Sequence, residues 1–442
     1  MYIEAYNNNT YQKIEIKIMN LNNELSKLVE EGVISQEVSD SISSYYKKEK
    51  TPDQSRLMVV FGVIGAILVG LGIILIIAHN WDDFIRPIKT GFALLPLIIG
   101  QFACGYTILR KKESSAWSEA STSFLFFAIG SCISLISQIY NIPGEIGSFL
   151  FLWMLLFLPI PFIMRSSLGA LLFLIGSSFY ALNVGYWEFP DTPPYWYLLF
   201  ISLTILFYLQ LRKQKPESNA LVFLNWLIPL SLTVCLGSFS NHHEEILYLA
   251  YMSMFAIFTQ IGNSKPLINQ PARNNAYRII GWLGSIIILI ILSFDAVWED
   301  IRREIYQNSE LILAPEAYAT LSISIVAIFL AYRSFAKNKL RIIEILFFVL
   351  LLIYILSSHS SFAFILVNLL LFACGLLTII SGTNQRSLML MNSGLLIITA
   401  LIICRFFDTD LSFVVRGVLF LSIGFGFFIA NYQLLKKKKQ HV

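Results

Sequence analysis

Residues 59–78, VVFGVIGAILVGLGIILIIA, run for about 20 positions without a charge, long enough as a helix at about 1.5 Å per residue to cross the roughly 30 Å hydrocarbon core of a bilayer. Few soluble folds tolerate such a segment. Gly62, Ala66 and Gly70 recur four apart and flatten one face, so another helix can approach the backbone closely. The run ends in His79, Asn80, Trp81, Asp82 and Asp83, an interfacial aromatic beside two carboxylates that must stay wet.

Composition extends this reading to the whole chain: 56% of residues are hydrophobic and only 14% charged, which excludes an ordinary soluble domain and makes nucleic acid an unsuitable partner. All five cysteines (Cys104, Cys132, Cys235, Cys374, Cys404) sit in apolar segments without C-x-x-C spacing, so they read as small buried hydrophobes. No basic stretch followed by a short apolar run and a cleavage site opens the chain, so the first span is expected to remain as an anchor.

Residues 1–57 are different in kind. Leu21, Leu25, Leu28 and Val29 recur at three- and four-residue steps, the stripe of an amphipathic helix. Gly32 is placed to stop that helix, Ser35 to cap the next one, and Glu37 to meet its dipole. The expectation is a small cytoplasmic helical hairpin, either a docking site for a cytoplasmic protein partner or a cap packed on the membrane domain.

From residue 58 to 435 the chain is read as an all-α, polytopic integral membrane domain of about fourteen transmembrane helices, followed by a basic cytoplasmic tail, 436–442. The spans are 58–78, 90–109, 121–139, 148–164, 167–186, 195–211, 220–239, 246–262, 278–297, 317–335, 342–358, 361–381, 388–404 and 411–434. With both termini cytoplasmic, only six of the 32 lysines and arginines fall outside: Arg86, Lys89, Arg302, Arg303, Arg405 and Arg416. The rest lie inside, as the positive-inside rule requires, and the outer face is net acidic. Prolines at 96, 159, 161 and 229 interrupt spans and predict kinks or discontinuous helices.

The hairpin with Gly32-Val33-Ile34-Ser35, the first span ending in His79-Asn80-Trp81-Asp82, and the segment Ile136-Ser137-Gln138-Ile139-Tyr140-Asn141 together resemble the bacterial predicted-membrane-protein family catalogued as domain of unknown function 2157. Arg405-Phe406-Phe407-Asp408-Thr409-Asp410 and Arg416 resemble the close of its longer members. The resemblance implies a multi-pass protein of a bacterial inner membrane and carries no established activity.

Three sets of residues are candidates for function. An outer mouth would gather His79, Asn80, Trp81, Asp82 and Asp83 with Gln138, Tyr140 and Asn141. Within it, His79 and Asp82, with His242, His243 and Glu244 from another outer loop, have the ligand types of a divalent metal site but not helical H-x-x-x-H spacing. Arg405, Asp408, Asp410 and Arg416 form either an ion-pair knot or an anion site. Polar residues in spans, among them Asn183, Asn225, Gln260 and Asn368, serve as interhelical glue or line a cavity. No Asp, Glu, Lys, Arg or His lies near the middle of any of these spans, which weighs against proton coupling. Phosphate-loop, zinc-protease, hydrolase and dinucleotide motifs are absent from the sequence, and no cofactor is expected. The reading is a transport or lipid-handling protein; its rivals are a membrane-embedded enzyme acting on an envelope lipid or glycan precursor, and a scaffold or sensor signalling through the hairpin.

Overall fold

The fold is taken from a computed structural model, which describes residues 25, 28–48, 81–187, 193–216, 218–240, 244–268, 270–271, 274–307, 314–335, 342–357, 362–385, 387–408 and isolated positions between 414 and 428. The chain divides into two compact units, Met1–Lys89 and Thr90–Val442. The span expected at 58–78 lies outside the described residues, as do His79 and Asn80.

In the first unit a helical turn stops at Gly32, which adopts φ +69°. The Gly32 N–H donates to the Val29 carbonyl and the Val33 N–H to that of Leu28, pairing that closes a helix end and needs a left-handed residue, for which glycine bears no Cβ penalty. The chain then enters α1 (Gln36–Lys48), where the Ser35 hydroxyl accepts the Val38 N–H at 3.4 Å and Glu37 lies in the first turn.

The described residues of the second unit are helical, with no strand. The helices are α2 (Arg86–Arg110, which begins in the first unit), α3 (Ser115–Tyr140), α4 (Ile146–Phe157), α5 (Ile160–Met164), α6 (Ser167–Leu182), α7 (Trp196–Gln214), α8 (Asn219–Leu236), α9 (Leu247–Gly262), α10 (Ala276–Ile291), α11 (Asp295–Gln307), α12 (Pro315–Phe335), α13 (Ile342–Ser357), α14 (Ala363–Asn384) and α15 (Leu388–Asp408). Eight stretches of the described residues are long and apolar enough to cross a membrane, or nine if α10 and α11 are one bent span. Pro96 and Pro229 lie inside unbroken helices, whereas Pro159 separates α4 from α5.

The helices are held by small residues and hydroxyls, as expected where lipid supplies no hydrophobic drive between them. A Cβ on Gly394 of α15 would come within 2.7 Å of the Gly375 carbonyl of α14, so the two backbones touch. Paired hydroxyls join other helices: Ser178 with Ser231 at 2.7 Å (α6 to α8), Tyr197 with the same Ser231 at 2.7 Å (α7 to α8), and Ser253 with Ser324 at 2.9 Å (α9 to α12). Trp153 of α4 lies over Gly130 of α3 and donates its indole N–H to the Phe126 carbonyl at 2.8 Å.

The span read as 278–297 does not continue straight. Helix α10 ends at Ile291, and α11 leaves at 86°. Trp298, fully buried on α11, donates to the Leu292 carbonyl at 2.7 Å, and the Asn368 side-chain amide donates to the Ser293 carbonyl at 2.8 Å. Two carbonyls freed by the break thereby gain donors, which a break buried away from water requires.

Candidate functional site

A groove of about 950 Å³ opens between α7, α8, α9, α10 and α12. Its volume lies at the upper end of the usual ligand-pocket range of roughly 300–1,000 Å³. Leu198, Ile205, Leu209 and Arg212 of α7, spaced seven, four and three apart, supply one helical face to it. Ile228 and Leu232 of α8, Met254 and Ile257 of α9 and Ile323 of α12 make the remaining wall almost wholly aliphatic.

The two ends differ from the middle. Tyr195, Phe239 and Tyr318 bound one end, and Arg212, Tyr208 and Tyr277 the other. From Tyr195 to Arg212 the helix rises about 26 Å, close to the roughly 30 Å of a hydrocarbon core. The Arg212 guanidinium faces the Tyr208 hydroxyl. That hydroxyl donates to the Asn225 side-chain oxygen at 2.8 Å, and the Asn225 amide donates to the Asn274 carbonyl at 3.2 Å, which ties α7 and α8 to the segment before α10. Asn225, expected as glue or as a cavity lining, acts here as glue beside the groove's cationic end.

Of the residues expected at an outer mouth, Trp81, Asp82 and Asp83 form a turn in the first unit, with both carboxylates exposed and the Lys89 ammonium 5.7 Å from the Trp81 ring centre. Gln138, Tyr140 and Asn141 are exposed residues of the second unit. Asn141 has φ 51° and stops α3: its N–H donates to the Gln138 carbonyl and the Ile142 N–H to that of Ser137. Asparagine is among the few residues that accept this left-handed geometry, so a structural demand accounts for its place in the motif. The Tyr140 hydroxyl pairs with that of Thr90 at 3.1 Å.

The metal candidates His79, His242 and His243 lie outside the described residues, as does the side chain of Glu244. Among the described residues, no three His, Cys, Asp or Glu side chains gather where they could hold a metal. Of the Arg405 cluster, Asp410 and Arg416 also lie outside, and Asp408 is described only by its backbone. Arg405 itself sits at the α10–α11 break, donating to the Ser293 hydroxyl at 3.4 Å with its guanidinium 4.9 Å from the Phe294 ring centre.

One polar knot escaped the sequence reading. Glu119 of α3 accepts the Ser167 and Leu168 N–H groups at 2.9 and 2.8 Å and the Ser166 hydroxyl, while the Ser118 hydroxyl donates to the Met164 carbonyl at 2.5 Å. A carboxylate on the positive end of α6 satisfies orphan backbone donors and the helix dipole together. The residue before this cap, Arg165, stands at φ 52°. Nothing in sequence spacing links position 119 to 167, whereas the groove left a trace in the helical spacing of Tyr208 and Arg212.

No curated protein and no solved structure matches the chain. Residues 26–170, which hold α1, the Asn141 stop and the Glu119 knot, match the model of the family described as Predicted membrane protein (DUF2157).

Proposed function

We propose that the chain is a lipid-handling protein of a bacterial inner membrane that holds the apolar tail of an amphipathic molecule in the groove lined by α7, α8, α9 and α12. The observation that carries this reading is the groove itself: about 950 Å³, aliphatic for most of its length, and polar only at its ends. Carrying a polar headgroup through such a wall would strip it of water without replacement hydrogen bonds, at a cost of several kcal/mol. Holding a tail fits the lining better than carrying a solute across. Localisation rests on the resemblance to the family whose model residues 26–170 match; the charge asymmetry supports about fourteen spans with both termini cytoplasmic and a cytoplasmic hairpin over residues 1–57.

Native mass spectrometry of the purified full chain tests the reading. The wild type should retain bound lipid through detergent exchange, and Ala319→Trp, which places an indole in the groove wall, should release it while the protein stays monodisperse. A wild type that carries no lipid, or an Ala319→Trp protein that keeps its lipid, sinks the proposal.

A further inference from the structure

We infer that the groove selects an anionic phospholipid, with the phosphate at Arg212 and the tail running along α7 toward Tyr195; this rests on the tail-holding reading above. The difference in charge between the two ends carries it: among the described residues, Arg212 is the one charged residue in the lining. At the Arg212 end, the described residues at the close of α7, just after it, and from the end of α9 into the start of α10 include Arg212, Lys213, Lys215, Lys265 and Arg278 and no acid. Of the described basic residues there, Arg212 lines the groove and is half-buried, with the Tyr208 and Tyr277 rings beside it. A guanidinium supplies parallel donors to phosphate oxygens, and the Tyr277 phenol can add another, the Tyr208 proton being held by Asn225.

The far end lacks that charge. Tyr195, Phe239 and Tyr318 line it, with no cation among the described lining residues there. A phosphate at that end would find no cation to pair with, and a zwitterionic headgroup would bring an ammonium against the basic end. The phosphate therefore belongs at Arg212. The aliphatic stretch keeps it there, and the groove's length lets the attached tail pass the bilayer midplane without leaving the wall.

The test uses the full chain in phosphatidylcholine nanodiscs carrying a trace of phosphatidylglycerol or phosphatidylcholine with a photoactivatable acyl chain, and maps labelled peptides by mass spectrometry. In the wild type the phosphatidylglycerol probe should label α7, α8 and α9 about tenfold more than the phosphatidylcholine probe, the factor expected for one charge-assisted hydrogen bond. Arg212→Gln should bring the two probes to equal labelling, and Arg212→Lys, which keeps the charge, should retain a preference. Equal labelling in the wild type, or an undiminished preference in Arg212→Gln, overturns the headgroup assignment and leaves the tail-holding reading standing. Absence of groove labelling by either probe overturns that reading as well.

Discussion

The groove beside α7 and the break between α10 and α11 both place an arginine beside aromatic rings, and they use it differently. At the break, Trp298 and Asn368 serve the Leu292 and Ser293 carbonyls, and Arg405 reaches the Ser293 hydroxyl and the Phe294 ring. In the groove α7, α8, α9 and α12 run without a break, and Arg212 lines the open space between them. An interrupted helix consumes polar side chains in satisfying its own carbonyls, whereas helices that run on can leave a charged side chain such as Arg212 facing the space between them. Polar residues in a membrane span are therefore a weaker sign of a binding site than an open wall with one charge at its end.

That contrast can be broken most severely at Trp298. Trp298→Ala removes a fully buried indole and its hydrogen bond, and should cost about 3–5 kcal/mol, read as a large drop in the unfolding temperature of the solubilised protein. A mild effect would mean that the break does not depend on its donors. Asn368→Leu strips the Ser293 carbonyl of one donor and should cost about 1–3 kcal/mol by the same measurement, with groove labelling unchanged. Coupled loss of labelling would show that the two regions are one device. Smaller again, Glu119→Gln weakens the cap on α6 and should cost about 1 kcal/mol, visible as faster amide exchange at Ser167 and Leu168. The smallest effect is expected from Arg405→Gln, which gives up the stacking on Phe294 for about 0.5–1 kcal/mol.

Much of the helical layout was legible as apolar runs: the spans expected at 90–109 and 220–239 correspond to helical stretches Arg86–Arg110 and Asn219–Phe239. The turn at Leu292–Phe294 was not, because hydropathy runs on through Ile291 and Leu292 and carries no direction. Its cause is Trp298 and Asn368 reaching back from elsewhere. The motif at Ile136–Asn141 was visible as a motif, yet the role of Asn141 is a backbone dihedral and shows only in three dimensions. Arg212 was read as one more basic residue on the inner side, and its place in the groove depends on helices more than a hundred residues apart in sequence.

The sequence by itself determined that this chain enters a membrane, where its apolar runs lie, and how charge divides between their ends, since burying a charge in hydrocarbon costs more than local packing can return. Only the tertiary structure decided which polar residues are spent on backbone carbonyls and which face open space, because that depends on which helices meet and how closely their small residues allow them to approach.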